Sequence, residues 1–336
     1  MSTQIARSGR LPVAEPSGLN VVAFGGGHGL SATLKSLRHI THGLTAVVTV
    51  ADDGGSSGRI REEANTLPPG DLRMALVALC DDSEWGPTWR DLMQQRLQTD
   101  GPLDEHALGN LLVLSVWQML GDPVTGLDTL ARLLNAHGRV LPMSLSPLRI
   151  EATVDRGDKT EEIKGQAAVA VAGGDITELR VEPRDAPVPA DVIKAVADAD
   201  WIVLGPGSWY TSIIPHLMIE ELRQAIVTTD AHRALVLNLS LDEAETTQMS
   251  AGDLVRALQQ AAPDLKLDVI IADPTSVDDV DDLMEASAAM GARVLLRQVR
   301  SAADPETHDP LRLAAALRDG FDGYLGEVGK AETWLA

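Results

Sequence analysis

The stretch LNVVAFGGGHGLSATLKSLRHITHGLTAVVTV, residues 19–50, decides the fold of this chain. It opens with an apolar run, passes through a glycine-rich turn into a helical pattern, and ends in a second apolar run. Apolar runs joined by a helix predict two buried parallel strands and their crossover, a βαβ unit. Glycines in the turn let the backbone bend sharply and approach a ligand closely.

The same alternation of strand and helix returns in the C-terminal half of the chain. The further predicted strands are WIVLG (201–205), ALVLNL (234–239), DVIIAD (268–273) and RVLLRQV (293–299). Between the two halves, helical patterns predict an insertion at about 85–138, and RIEATVD, AAVAVA and ITELRVEP predict short antiparallel strands at about 148–183. We therefore expect an α/β fold: a Rossmann-like, doubly wound, mostly parallel sheet with a helical insertion and a small antiparallel patch. A single domain is expected over residues 19–325, behind a disordered leader of residues 1–18.

Composition excludes several classes of protein. A formal charge of −21 argues against a nucleic-acid partner, which would need clustered Lys and Arg, although the acidity is equally compatible with simple solubility. Cys80 is the only cysteine, so there is no internal disulfide framework. No apolar run reaches the length of a membrane span, and residues 1–18 lack the apolar core of a secretory signal. The expected location is the cytoplasm, without a membrane span.

Two loops follow the first two predicted strands. The first, GGGHGLS at 25–31, departs from both the P-loop and the dinucleotide fingerprint. The second, ADDGGSSGRIR at 51–61, brings carboxylates to the end of strand two, where they could accept ribose hydroxyls or hold a metal, or simply form a surface turn. The candidate ligand-binding residues here are Gly25, Gly26, Gly27, His28, Gly29, Asp52, Asp53, Gly54, Ser56, Ser57 and Arg59.

Two further motifs contribute polar candidates. In PPGDLR, Asp71 stands at the expected start of a helix, where it either caps the helix or points into the cleft beside Asp52 or Asp53. In HALGN, the spacing places His106 and Asn110 on one face of a helix, as ligand-binding residues or as packed core residues.

The segment LGPGSWYTSIIPHL at 204–217 repeats the order of strand, glycine turn and hydroxyl-rich helix start. Free backbone N–H groups at such a helix start suit a phosphate or diphosphate. The candidates are Gly205, Pro206, Gly207, Ser208, Tyr210, Thr211 and Ser212, and a simple capped turn is the alternative. Tyr210 could also stack on a base or a sugar.

These motifs together resemble the gluconeogenesis factor family, the YvcK-like branch of proteins related to 2-phospho-L-lactate transferase (CofD-like). The resemblance covers about residues 20–320 and rests on GGGHGL, TVADDGGSSGR, PPGDLR, HALGN and LGPGSWYTSIIP. It implies a regulatory protein that binds a UDP-sugar such as UDP-N-acetylglucosamine, needs no cofactor, and supports cell shape and cell-wall precursor supply on gluconeogenic carbon. Possible partners are a second copy of the chain and an enzyme of cell-wall precursor synthesis.

The resemblance also implies an alternative, a transferase of the phospho-lactate type that uses a guanosine nucleotide. Asp53 and Asp71 would then be the catalytic candidates and would hold Mg²⁺. Three departures from the family pattern bear on these expectations: His28 stands where Thr is frequent, Thr307 where some members carry Arg, and Pro310 where some members carry a phosphorylated Thr. A nicotinamide-dependent oxidoreductase is a third class, disfavoured by the glycine spacing.

Overall fold

The computed structural model describes residues 17–157, 159–240, 245–246 and 249–323. Residues 1–16 of the predicted leader and residues 324–325 of the predicted domain lie outside this part of the chain. Residues 17 and 18, which we assigned to the leader, already belong to the first strand.

Ten strands form two sheets in the described part of the chain. They are β1 (Ser17–Gly25), β2 (Thr41–Val48), β3 (Arg139–Pro142), β4 (Arg149–Asp155), β5 (Thr160–Lys164), β6 (Asp175–Glu182), β7 (Trp201–Leu204), β8 (His232–Val236), β9 (Val269–Ala272) and β10 (Arg293–Leu296). Seven of them form a parallel sheet in the order β10-β9-β8-β7-β1-β2-β3, and the other three an antiparallel sheet in the order β5-β4-β6. The predicted fold class is confirmed.

The helices follow the predicted alternation. They are α1 (Gly27–Leu37), α2 (Gly55–Ala64), α3 (Gly70–Leu79), α4 (Gly86–Gln94), α5 (Leu108–Leu120), α6 (Pro123–Leu133), α7 (Gln166–Ala170), α8 (Ala190–Ala197), α9 (Pro215–Met218), α10 (Glu220–Thr228), α11 (Ala251–Ala261), α12 (Val280–Ala289) and α13 (Pro310–Phe321). Helices α4 to α6 occupy the predicted insertion. Within the described ranges, no helix has the length and apolar character that crossing a bilayer requires.

The large sheet reverses its direction of winding between β1 and β7. From β1 the chain moves outward to β2 and β3, and from β7 it moves the other way to β8, β9 and β10. Strand β7 and the Val21–Phe24 part of β1 are apolar and buried, with Val21 and Phe24 0% exposed, because helices cover the two faces of the sheet. In open α/β sheets, ligands bind at the carboxyl ends of the strands at such a switch point.

One expected strand is a helix. The segment AAVAVA, residues 167–172, was expected to pair in the small sheet, but most of it lies in α7. Alanine favours helix over strand, and the left-handed Gly165 (φ +100°) turns the chain out of β5 immediately before the helix. The other two segments do pair, with Ala152 of β4 opposite Ile163 of β5 and Leu179 of β6.

Candidate functional site

The two glycine loops of the sequence meet at the switch point. A β-carbon on Gly29 would stand 2.2 Å from the carbonyl oxygen of Pro206 and 2.6 Å from the Cα of Gly207. The Thr33 hydroxyl donates a hydrogen bond of 2.7 Å to the Gly205 carbonyl oxygen, which ties α1 to the loop after β7. Segments about 180 residues apart in sequence thus form one rim.

The loop after β1 leaves no space for a side chain at its centre. A β-carbon on Gly26 would lie 2.5 Å from Asp71 Oδ2 and 2.6 Å from Thr49 Cγ2. Gly27 has a φ of +55°, in the left-handed region. The N-cap of α1, Gly26, has no side chain that could cap the helix, and the Gly27 backbone hydrogen-bonds to the Asp71 carboxyl group instead. The His28 side chain is exposed.

The loop after β7 is held by an amide clamp from the neighbouring strand. The Gly207 N–H donates to Asn238 Oδ1 at 2.9 Å, and Asn238 Nδ2 donates back to the Gly207 carbonyl oxygen at 3.0 Å. Gly205 has a φ of +72°, and the peptide bond between Gly205 and Pro206 is cis. A π-helical turn, Trp209–Ile213, follows directly. The clamp fixes the backbone of this loop and occupies the Gly207 N–H.

The hydroxyl-bearing residues of this turn are mostly buried. The Ser208 hydroxyl donates to Glu245 Oε1 at 2.7 Å. Thr211 is 2% exposed and Ser212 7%, and the Tyr210 ring is 8% exposed with its hydroxyl against Met249 Sδ. Burial, followed by the Glu245 charge, raises the pKa of Tyr210 to about 12. Thr211, Ser212 and Tyr210 therefore contribute little to the surface of the loop.

The carboxylate that faces Asp71 is that of Asp52. Burial first, and then the Asp52 charge, raises the pKa of Asp71 to about 7, while hydrogen bonding from the Gly27 backbone opposes the rise. Burial also raises the pKa of Asp52, whose Oδ1 accepts a 2.9 Å bond from the Gly54 N–H. Asp71 lies in the first turn of α3, and its side chain is directed to the loop after β1. Two coupled carboxyl groups thus stand beside the glycine rim.

Asp53 has a different position from its neighbour. Its Oδ1 accepts a 2.9 Å hydrogen bond from the Ala167 N–H, and its Oδ2 lies 2.4 Å from the place of a β-carbon on Gly165. Asp53 therefore anchors the start of α7, which also packs against the π-helical turn after β7. Helix α7 thus contacts the segments that follow β2 and β7.

The residues of HALGN form a buried polar network with α2. The Ser56 hydroxyl lies 3.0 Å from His106 Nδ1 and accepts hydrogen bonds from Asn110 Nδ2 at 3.0 Å and from the Ala107 N–H. Asn110 Oδ1 in turn accepts from the buried Arg73 Nε at 2.8 Å. Helix α5 begins only at Leu108, so the expectation that His106 lies on the same helix as Asn110 is wrong. The network joins the insertion to α2 and α3.

Ser57 and Arg59 occupy the opposite faces of α2. The Ser57 hydroxyl accepts a 2.9 Å hydrogen bond from the Gly70 N–H and so fixes α3 beside Asp52. Arg59 is exposed and donates to the carbonyl oxygens of Pro102 and Asp104.

The carboxylates beside the glycine loops supply only part of the coordination shell of a magnesium ion. Asp52 and Asp71 offer two carboxylates, and Mg²⁺ is usually held by one or two carboxylates together with water and substrate phosphate. No group of three or more His, Cys, Asp or Glu side chains suited to a metal occurs in the described part of the chain. The residues fit a magnesium ion that arrives with a phosphate, and one carboxylate oxygen of Asp53 is already bonded to the Ala167 N–H.

Sequence reasoning missed three residues of the site. Thr49 is wholly buried beside Gly26, Asn238 clamps Gly207, and Glu245 accepts the Ser208 hydroxyl bond. Thr49 and Asn238 are the polar residues near the C-terminal ends of the apolar runs that form β2 and β8, and this position at the carboxyl ends could have indicated them. Glu245 lies in a polar stretch with no pattern of its own.

Comparison with known proteins extends these observations. The family described as 2-phospho-L-lactate transferase CofD matches residues 21–295. A Mycobacterium tuberculosis protein is 43% identical over 324 residues, covering 94% of this chain and 93% of the relative. The gluconeogenesis factor of Bacillus subtilis is 32% identical over 313 residues, covering 89% and 97%.

A solved structure agrees with the sequence comparison. The crystal structure of a UPF0052 family member from Bacillus halodurans superposes with a TM-score of 0.81 at 31% identity, and the match covers 89% of this chain and 99% of that one. The matched part includes both glycine loops and the Asp52 and Asp71 pair, since the family match spans residues 21–295. This chain belongs to the 2-phospho-L-lactate transferase CofD family, together with the gluconeogenesis factors.

Proposed function

We propose that this protein is a gluconeogenesis factor that binds a nucleotide sugar of the UDP-N-acetylglucosamine type at the switch point and acts as a regulator. The observation that carries the proposal is the meeting of the loop after β1 with the loop after β7, where Gly29 and Pro206 are in contact. Two adjacent backbone loops of this kind offer N–H groups to both phosphates of a diphosphate.

The remaining residues would orient the ligand. Asp52 stands at the end of β2, where a ribose lies in doubly wound folds, and its carboxylate can accept hydroxyl hydrogen bonds. Helix α7 would cover the bound ligand, since it contacts the segments that follow β2 and β7 and is anchored by Asp53. Arg73, near both Asp52 and Asp71, supplies positive charge behind the loops.

The polar groups favour binding over turnover. Ser56 and His106 have the spacing of a nucleophile and its base, but they are only 5% and 4% exposed, and Ser56 accepts two further hydrogen bonds. A buried hydroxyl in such a network cannot reach a substrate without rearrangement. We therefore assign this pair a structural role and the protein a sensing role, in the cytoplasm, linked to cell-wall precursor supply and cell shape. The resemblance and the relatives named gluconeogenesis factor support this assignment.

Calorimetric titration tests the proposal. The purified chain should release or absorb heat on addition of UDP-N-acetylglucosamine, and the sugar nucleotide should remain intact afterwards by chromatography. Absence of heat and of any thermal shift at millimolar ligand contradicts the proposal. A protein carrying Gly29→Val, which must separate the two loops, is the matched negative control.

A second function rests on the coupled carboxyl pair. Asp52 and Asp71 could hold Mg²⁺ together with the phosphate of a guanosine nucleotide, as in a phospho-lactate-type transferase. Magnesium would supply charge neutralisation at the phosphate, and the two aspartates would hold it. Turnover of a guanosine donor that requires Mg²⁺ and is lost in Asp71→Asn would establish this function, whereas binding without turnover supports the regulator.

A further inference from the structure

A cleft of about 1150 Å³ opens beside the Asp52 loop, between α2 and the small antiparallel sheet. Asp53 and Gly55, which follow β2 in the chain, are among its lining residues, so the cleft adjoins the end of β2. The strands β7, β1 and β2 are neighbours, and two strand spacings place the end of β2 roughly 10 Å from the end of β7. A ligand whose phosphates lie at the glycine rim would extend into this cleft.

Three arginines line the cleft, and none of them has a carboxylate partner among the described residues. Arg59 and Arg61 come from α2 and Arg149 from the start of β4. Within the described ranges none of the three forms an ion pair, although the chain carries a charge of −21. Arg149 is exposed, whereas Arg61 is partly buried and donates to the Ala51 carbonyl oxygen.

Arg61 and Arg149 line the same cleft, and their like charges are mutually unfavourable. Burial is the main cause that lowers the pKa of Arg61, the Asp53 charge opposes it, and the Arg149 charge lowers it further. Two like charges side by side are unfavourable unless a partner with acceptor atoms bridges them. Arginine carries donors only, arranged in a planar fork, so that partner must present acceptors.

Acidic side chains line the same cleft, which argues against a purely anionic ligand. Glu62 and Glu182 face it together with Asp104 and Glu105. A neutral group with both acceptors and an N–H donor satisfies such a mixed lining, and a nucleobase with a carbonyl next to a ring N–H has this pattern. Uracil and guanine present a carbonyl oxygen where cytosine and adenine present an amino group.

We propose that this cleft receives the base of the bound nucleotide, with Arg149 and Arg61 donating to its carbonyl oxygens, and so selects uracil or guanine over cytosine and adenine. The proposal rests on the nucleotide-binding function above and adds the location and the chemistry of base selection. The carboxylates of Glu62 and Glu182 are the acceptors for the ring N–H, and the guanidinium planes offer a surface on which the ring stacks.

The test is calorimetry of the full chain with UDP, GDP, CDP and ADP. The wild type should bind UDP and GDP about tenfold more tightly than CDP and ADP, the discrimination expected of one good base contact. Arg149→Ala should weaken the binding of UDP and GDP about tenfold and change the affinity for CDP and ADP by less than about twofold. Arg149→Lys keeps the charge but loses the planar fork, so it should not restore the preference. Arg132→Ala, at an exposed position on α6 outside the cleft, should behave as the wild type.

The possible outcomes separate this proposal from the function on which it rests. If no nucleoside diphosphate binds, both are wrong. If all four bind and Arg149→Ala weakens them equally, or if Arg149→Lys retains the full preference, the arginines supply charge alone and base selection is wrong while nucleotide binding stands. Thermal unfolding of each variant verifies that it folds, and Arg149 is suited to this because its side chain is exposed.

Discussion

Gly29 and Pro206 are in direct backbone contact, with 2.2 Å between the carbonyl oxygen of Pro206 and the place of a β-carbon on Gly29. Gly29 lies in the first turn of α1, and Pro206 follows β7. Because β1 and β7 flank the switch point, this contact is the structural basis of the proposed diphosphate site.

The contact between Gly29 and Pro206 predicts whether a substitution of Gly29 raises or lowers the free energy of unfolding. Within a helix, replacing Gly by Ala normally raises the free energy of unfolding by about 0.5–1 kcal/mol. Gly29→Ala should instead destabilise by about 1–3 kcal/mol, because the obstructing atoms belong to backbone and cannot rotate away. Urea unfolding measures the difference. Gly101→Ala, which meets nothing within 4 Å, should change stability by less than about 0.5 kcal/mol. A stabilised Gly29→Ala protein contradicts the contact.

The buried carboxyl group predicts a dependence of stability on pH. Burial and the Asp52 charge raise the pKa of Asp71 from 3.8 to about 7, so the folded state holds a proton that the unfolded chain releases. This stabilising contribution is complete below about pH 4 and is lost as pH rises through about 7, by about 1.4 kcal/mol for each pKa unit. Asp71→Asn should therefore be more stable than the wild type at pH 8, with an advantage that shrinks toward pH 5.

Urea unfolding of the wild type and of Asp71→Asn at pH 5 and pH 8 tests this predicted dependence of stability on pH. Asp53→Asn, which keeps a side-chain oxygen for the Ala167 N–H, is the control and should show the pH dependence of the wild type. If Asp71→Asn changes the free energy of unfolding equally at the two pH values, Asp71 is not a buried carboxyl group with a raised pKa. Saturating Mg²⁺ that abolishes the difference would favour the transferase.

The anchor of α7 predicts a local change in dynamics. Asp53→Ala removes the acceptor of the Ala167 N–H, and loss of such a cap costs about 1 kcal/mol. Hydrogen exchange in α7 should accelerate about fivefold, while exchange in the large sheet stays unchanged. Glu62→Ala, in the neighbouring helix, is the control. Unchanged exchange in α7 would show that Asp53 does not hold this helix over the crevice.

The polar network predicts a large effect at Asn110. Asn110→Ala leaves the buried Arg73 Nε without its acceptor and removes a donor to Ser56. The cost should be about 2–3 kcal/mol, since the lost hydrogen bond involves a charged group that stays buried. Ser115→Ala, on the exposed side of α5, should cost little. Denaturant unfolding of both variants provides the comparison, and equal stability would exclude a structural role for the network.

The sequence predicts where the loops lie in the fold, but it does not predict which contact each of their side chains makes. Apolar runs ending in Gly25, Asp52 and Gly205 indicated which residues gather at the switch point, because parallel strands end at one edge. Asp52 and Asp53 are adjacent and chemically identical, and only tertiary structure directs one to Asp71 and the other to α7.

Other features depended on contacts that no local pattern carries. The alanine-rich segment at 167–172 alternates as a strand would, yet Gly165 and Asp53 start a helix there. The start of α5 at Leu108 separates His106 from Asn110 in secondary structure, while the Ser56 hydroxyl joins them in space. Arg61 and Arg149 are about 90 residues apart in the chain. They come together only because α2 and β4 line the same cleft.

A crystal structure of the chain with UDP-N-acetylglucosamine tests the central claim most directly. We predict electron density for the two phosphates between the backbone of Gly26 and that of Ser208, with the ribose toward Asp52. Density for the diphosphate at any other surface, with the crevice between these loops empty, would contradict the account.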